Sequence, residues 1–315
     1  MQTVIENVAV FGQFGGLVGI VSERADDAVR AEEAAPVRPA IIILNTGIVH
    51  RVGVGRLATV WARRLASAGH CVLRFDLSGI GDSERRDDTL SPADGAMADV
   101  RDAVDWLQSA RAIQRVILIG ICSGADLALL YARSDSRVGG LVIIDPSTPP
   151  TRWHNLKKCF NHKVWMRKFD AIVSVLKAQR AQPNQAISMD VWKYDSLPLS
   201  DPRVHSILAD AYRSAFAQGV RILAVFTQGA AWYNYRRQLF DAFPEIDFDG
   251  KLHLEYMERC DHIITHEINR ARLFGIADAW MQRTEFKVPI VAPDPCPATA
   301  AQSAAESDDL ISVEF

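Results

Sequence analysis

The sequence predicts an α/β protein, a mostly parallel sheet flanked by helices with a helical insertion late in the chain. Three observations carry that prediction. From Ala40 onward, short unbroken apolar runs alternate with stretches whose apolar residues recur at helical spacing. One such run, Val116 to Ile119, passes through a Gly-x-Cys-x-Gly turn into a helix. After Asp145-Pro146 the alternation stops, and it resumes only at Ile222.

Taken in order, Val8 to Phe11 and Leu17 to Ser22 flank a Gly-rich stretch and predict an N-terminal hairpin. Arg24 to Pro39 is acidic and Ala-rich without apolar periodicity, which predicts an exposed loop. Ala40 to Leu44 is a continuous apolar run of the kind buried in parallel strands. Leu57, Val60, Trp61 and Leu65 fall at helical spacing, and Cys71 to Phe75 is the next strand. Met97, Val100, Val104 and Leu107 mark a helix, Val116 to Ile119 a strand, Leu127 to Tyr131 a helix and Leu141 to Ile144 a strand. Residues 147–219 read as a helical cap over the C-terminal edge of the sheet, where open α/β folds place their sites. Ile222 to Phe226 and Leu252 to Tyr256 return to strands, and Asn269 to Met281 reads as a closing helix. The core is therefore expected over 1–146 and 220–285. Residues 286–315, rich in Ala, Pro, Ser and Asp, are expected to be a disordered tail.

The 315 residues are 49% apolar and 23% charged, enough for a large core, and the net charge of −3 gives no global basic field to attract nucleic acid. No run of eighteen or more apolar residues predicts a membrane span. The first residues lack a basic leader, and the five cysteines include no C-x-x-C pair. A reducing cytoplasm is the expected compartment, with neither a disulfide framework nor a metal site, and no cofactor.

The chemistry centres on Gly120-Ile121-Cys122-Ser123-Gly124. Strand, sharp turn and helix are the context of a nucleophile elbow, in which two glycines allow the turn and the central residue projects into the site. Here that residue is Cys122. A helix N-terminus favours an anion and so favours the thiolate. The plainer reading is a buried structural cysteine in a Gly-rich turn. Ser123 is the rival nucleophile, but the glycines bracket Cys122. Ser123 is instead expected to give its backbone N–H to an oxyanion hole.

A cysteine nucleophile needs a base. His262, in Cys260-Asp261-His262 after the last predicted strand, is the best placed of eight histidines, with His266 as the fallback. The loop after Ile222 to Phe226 carries no carboxylate before Asp241, whereas the preceding strand ends in Ile144-Asp145-Pro146. Asp145 is therefore favoured as the acid that orients His262. The bland alternative for Asp145 is a turn residue before proline, and a Cys–His dyad or another carboxylate stays open. The second oxyanion donor is expected from the N–H of Ile48, with Gly47 giving the backbone room to turn. His50 and Arg51 either face the mouth of the site or are solvated loop residues. Asp76 to Ser83 is a second Gly-rich loop, but it lacks the Lys of a P-loop and the full dinucleotide fingerprint.

On these residues the chain resembles the α/β-hydrolase superfamily. Arg74-Phe75-Asp76 through Gly79-Ile80-Gly81-Asp82-Ser83 looks like the R-x-D-x-x-G-x-G-x-S loop of serine-aminopeptidase-like members. His50-Arg51-Val52-Gly53 and the Cys122 elbow resemble hydrolases encoded beside exosortase A systems, which also tend to carry cysteine in the elbow. The similarity runs from about Ala40 to Gln282. That group usually has an Asp after the strand preceding the His-bearing segment, and Asn-Pro where this chain has Asp145-Pro146. Polyketide and peptide synthase thioesterases show a comparable Ile-Asp strand end before a Pro-containing cap. Dieckmann cyclases and aminoacyl shuttles are cysteine-bearing relatives. The resemblance implies acyl-thioester chemistry.

A cysteine suits that chemistry because attack on a thioester exchanges one thioester for another, and the acyl group keeps its transfer potential. The expectation is ping-pong acyl transfer through acyl-Cys122. Water, a carrier thiol or an internal carbanion are the rival acceptors, with simple hydrolysis placed slightly ahead. In the cap, Arg152, Lys157, Lys158, Lys163, Arg167 and Lys168 occur without Asp or Glu among them, interleaved with Trp153, Phe160 and Trp165. Such a surface suits an acidic acyl or peptidyl carrier protein or its phosphopantetheine arm, or is a solvated cationic face. An ester or peptide hydrolase without a carrier, and a non-catalytic binding module on the same fold, are the other readings.

Overall fold

Eight strands and seven helices are described in the computed structural model, which covers residues 3–12, 15–25, 38–160, 197–284 and 286. The strands are β1 Val4–Phe11, β2 Leu17–Arg24, β3 Ala40–Ile43, β4 Val72–Phe75, β5 Val116–Ile121, β6 Val138–Ile144, β7 Arg221–Thr227 and β8 Leu252–Met257. They form one sheet in the order β1-β2-β4-β3-β5-β6-β7-β8. The expected N-terminal hairpin is present and longer than its apolar residues suggest, pairing antiparallel from Val4↔Arg24 to Phe11↔Leu17. β2 pairs antiparallel with β4, and every neighbouring pair from β4 to β8 is parallel.

The helices are α1 Leu57–Ser67, α2 Pro92–Arg111, α3 Ser123–Ala132, α4 Arg152–Phe160, α5 Pro202–Ala217, α6 Gln238–Ala242 and α7 Glu267–Arg283. Local chemistry starts two of them in the same way. Ser91 accepts from the Asp94 N–H ahead of Pro92, and Asp201 accepts from the Arg203 N–H ahead of Pro202.

The continuous apolar runs are explained by cover on both faces. On one face Ile41, Ile43, Ile119, Ile144 and Val225 pack against Leu57 and Trp61 of α1 and Leu273 and Phe274 of α7. On the other, Ile42, Leu44, Leu118, Ile143 and Ala224 meet side chains of α2, α3 and α5. Successive strand residues thus alternate between two cores, each large side chain contributing about 1.5–3 kcal/mol.

Within 147–219, α5 buries Val204, Leu208, Tyr212 and Ala215 in the same core as the helix that follows Cys122. This part of the expected cap lies in the helical layer of the sheet. Residues 161–196 fall outside the described residues, as do residues 26–37 of the loop expected over 24–39 and, apart from Phe286, the expected tail. Among the described residues no helix is long and apolar enough to cross a membrane.

Candidate active site

Three parallel strand ends meet at one point. Cys122 stands between β5 and α3 with φ 56° and ψ −120°, a conformation that few residues other than glycine adopt. Its N–H donates to the Ile144 carbonyl (2.9 Å), and its own carbonyl accepts from Ala125 and Asp126. The turn is closed by its two glycines. A Cβ on Gly120 would stand 2.1 Å from the Gly124 carbonyl oxygen, and one on Gly124 would stand 2.3 Å from the Asn45 carbonyl oxygen. No side chain fits at either place.

Asp145 follows β6 and is fully buried, also at positive φ (48°). Its carboxylate accepts from the Thr227 N–H (2.6 Å), the Thr227 hydroxyl (2.7 Å) and His262 Nδ1 (2.8 Å). His262 lies in the loop after β8, with a quarter of its side chain exposed. Burial works to lower the His262 pKa. Hydrogen bonds and negative charge from Asp145 and Cys122 outweigh it and raise the pKa to about 9. His262 thus contacts Asp145 at 2.8 Å through Nδ1, while the Cys122 side chain adds to the rise in its pKa.

The loop after β7, which carries no acid, takes another part in the site. Thr227 ends that strand and supplies two of the three donors to Asp145. Gly229 packs so closely on the next loop that a Cβ there would stand 2.4 Å from the His262 backbone nitrogen. Trp232 sets its ring edge-on to His262 (5.0 Å, 77°) and donates from Nε1 to the Pro146 carbonyl (3.0 Å). Sequence reasoning missed Thr227 and Trp232. A hydroxyl residue at the end of the strand beside Asp145 is the signal that was available for Thr227.

Ser123 is buried, and its Oγ accepts from the Gly47 N–H (2.7 Å). The hydroxyl thus ties the elbow to the loop after β3. In that loop Val49 N–H donates to the Thr46 carbonyl (3.0 Å), a tight turn with the Ile48 side chain outward. Arg51 pairs with the buried Asp76 and with Asp82, and both His50 and Arg51 line a cavity that also includes His262. Asn45 joins the same network, donating to the Val49 carbonyl (2.9 Å) and accepting from the Leu77 N–H (2.8 Å). The Gly-rich loop around Asp76 is thus taken up in holding the site's rim.

His266 is exposed at the start of α7 and plays no part in the chain of bonds described above. Arg152, Trp153 and Lys157 lie on the exposed side of α4, Lys157 over the Tyr235 ring (5.4 Å). The side chain of Lys158 and the residues from Lys163 to Lys168 lie outside the described residues. Burial pushes the Cys260 thiol up to about 11 and the Cys71 thiol up to about 12. Among the described residues no cluster of His, Cys, Asp and Glu side chains is arranged to hold a metal ion.

The comparisons with known proteins agree with this architecture. A family model described as alpha/beta hydrolase fold matches residues 40–174. The α/β hydrolase GrgF of a Penicillium species is 13% identical, with a TM-score of 0.55 over 89% of this chain and 98% of that one. A hypothetical protein of Pseudomonas aeruginosa is 16% identical, with a TM-score of 0.54 over 88% and 94%. The α/β hydrolase domain-containing protein 10 of mouse is 15% identical, with a TM-score of 0.50 over 88% and 98%. No curated protein matches the sequence. At these identities the likeness defines the fold, and the chain has the α/β-hydrolase fold.

Proposed function

We propose that the protein is a cysteine-nucleophile acyl-transfer enzyme acting on thioesters, a thioesterase or acyltransferase. The observation that carries the reading is the elbow: Cys122 at positive φ, with a side chain that helps raise the pKa of a His262 that a buried Asp145 holds. The raised pKa of His262 favours an imidazolium beside a thiolate, the reactive form of cysteine. The buried, hydrogen-bonded Ser123 hydroxyl argues against serine as the nucleophile.

In the proposed cycle the Cys122 sulfur attacks the thioester carbonyl, and the proton from its thiol resides on His262. Asp145 stabilises the imidazolium and fixes its tautomer. The N–H groups of Ser123 and Ile48 hold the oxyanion. Collapse breaks the original C–S bond, and His262 returns its proton to the departing thiolate. Acyl-Cys122 remains. His262 then takes a proton from the acceptor, water or a thiol, as the acceptor's oxygen or sulfur bonds to the acyl carbon. The bond to the Cys122 sulfur breaks, the acyl group leaves on the acceptor, and Cys122 is regenerated as a thiolate beside protonated His262. Arg152 and Lys157 beside the exposed Trp153 and Leu156 support an acidic carrier protein as the acyl donor.

The test is intact-protein mass after mixing with short acyl-pantetheine thioesters, for the wild type and Cys122→Ala. An acyl adduct on the wild type alone is expected. Consumption of thioester by Cys122→Ala at the wild-type rate overturns the assignment.

A further inference from the structure

At the N-terminal edge of the sheet, opposite the edge that carries Cys122, a larger cavity opens beside the end of α7. β6 starts with Val138 and two glycines. Its register sets Gly140 between Ile117 and Arg221, and Leu223 stands beside His253. Ile117 and Leu223 belong to the core under α7, so the period-two alternation of strands carries Arg221, Lys251 and His253 to that same face. Gly140 leaves room there for the Phe286 ring, which packs edge-on to Trp280 (5.6 Å, 69°). Arg115, just ahead of β5, lays its side chain over Gly139, with Cδ and Nη1 each 3.5 Å from where a Cβ would stand. Arg283 and Leu252 complete the walls. The cavity measures about 750 Å³, within the roughly 300–1,000 Å³ of small-molecule sites.

Its charge is one-sided: among the described residues the walls hold Arg115, Arg221, Lys251 and Arg283 and no carboxylate. Lys251 pairs with Asp247, and His253 with Glu255. The three arginines have no acidic partner among the described residues. Arg221 donates to the Gly250 carbonyl and Arg283 to the Ala279 carbonyl, while Arg115 Nε is buried without an acceptor. Burial lowers the Arg115 pKa, and no neighbouring charge offsets it. We propose that this cavity binds a small ligand through a diphosphate group held by Arg115, Arg221 and Arg283. A guanidinium presents its donors in a fork that matches phosphate oxygens. A single phosphate brings roughly −1.5 to −2 charges, short of three guanidinium groups, whereas two linked phosphates match them. Phe286 and Leu252 offer an apolar wall to whatever the diphosphate carries. The site is separate from the acyl chemistry and does not rest on it: the seven residues of β6 put about 20 Å between this edge and Asp145.

The experiment is isothermal titration calorimetry of the full chain at low ionic strength with inorganic phosphate, pyrophosphate and ADP. One pyrophosphate or ADP is expected to bind per chain, each at least about tenfold tighter than phosphate. Arg115→Gln, which removes a side chain with no acidic partner, and Arg221→Gln should each weaken binding by about 10- to 100-fold. Arg213→Gln, at an exposed arginine of α5, and Cys122→Ala should leave it unchanged. ADP binding tighter than pyrophosphate makes a nucleoside part of the ligand, and equal binding confines recognition to the diphosphate; both support the site. No saturable binding, an affinity indifferent to Arg115→Gln and Arg221→Gln, or loss of binding in Cys122→Ala overturns it.

Discussion

Replacing Asp145 with asparagine tests the coupling on which the site depends. The carboxylate accepts from His262 Nδ1 at 2.8 Å while two Thr227 donors hold it from behind. In Asp145→Asn the side-chain oxygen still satisfies the Thr227 N–H, so the fold retains that contact. The amide then presents either a donor or a neutral oxygen to the imidazole, and the negative charge is gone. His262 loses the largest influence holding its pKa up at about 9. An opposite charge in contact moves a pKa by roughly one to three, so the imidazolium–thiolate form is destabilised by about 1.4–4.1 kcal/mol, a factor of about 10 to 1,000. The assay is the rate of Cys122 alkylation by iodoacetamide between pH 5 and 9, read by mass with Cys122→Ala as the blank. The raised pKa values of Cys71 and Cys260 keep those two thiols slow. The wild type should react rapidly well below neutrality, whereas Asp145→Asn should need a higher pH and be slower at pH 6 by that factor. Superimposable pH profiles would refute the coupling and leave Asp145 as a turn residue.

Other expectations follow from the same geometry. Gly124→Ala places a methyl against the Asn45 carbonyl; we expect alkylation at Cys122 to fall at least tenfold, with a lowered unfolding midpoint in thermal denaturation. Ser123→Ala removes the acceptor for a buried Gly47 N–H, costing about 1–3 kcal/mol of stability, yet the protein should still form an acyl adduct; loss of the adduct with the fold intact would reinstate serine chemistry. Thr227→Val withdraws one of three donors to Asp145 and should reduce kcat by about 5- to 30-fold, less than Asp145→Asn, in a steady-state thioester assay. His262 carries a folded pKa above its ordinary value. Its contribution to stability is therefore complete below about pH 6.5 and lost as pH rises through about 9. The difference in chemical-denaturation midpoint between wild type and His262→Gln should shrink over that window; a constant difference would contradict it.

The sheet was legible from Ala40 onward because its strands are buried on both faces and read as unbroken apolar runs between turns. The boundaries were less so. β1 begins at Val4, where Glu6 and Asn7 interrupt the apolar pattern, because an edge strand needs only one covered face. The elbow was legible for a local reason: the glycines at 120 and 124 are demanded by contacts within the turn and with the neighbouring loop. Asp145 was reached by elimination, from a missing acid after β7. The reason that strand end can lack an acid appears only in three dimensions, where Thr227 supports the carboxylate of its neighbour.

The sequence by itself determined the alternation of strand and helix, the turn that presents Cys122, and the chain order of thiol, carboxylate and imidazole. These depend on residues near one another in the chain, or on strand ends that any parallel sheet brings to one edge. Tertiary structure alone decided which groups touch. It set His262 against Asp145 across 117 positions, gave the Ser123 hydroxyl to Gly47, placed Trp232 edge-on to the imidazole, and took α5 into the sheet's helical layer. It also left the Trp61 N–H facing no acceptor among the described residues. Such pairings depend on how side chains from distant segments pack and on where buried donors find acceptors. Periodicity and motif carry no record of either.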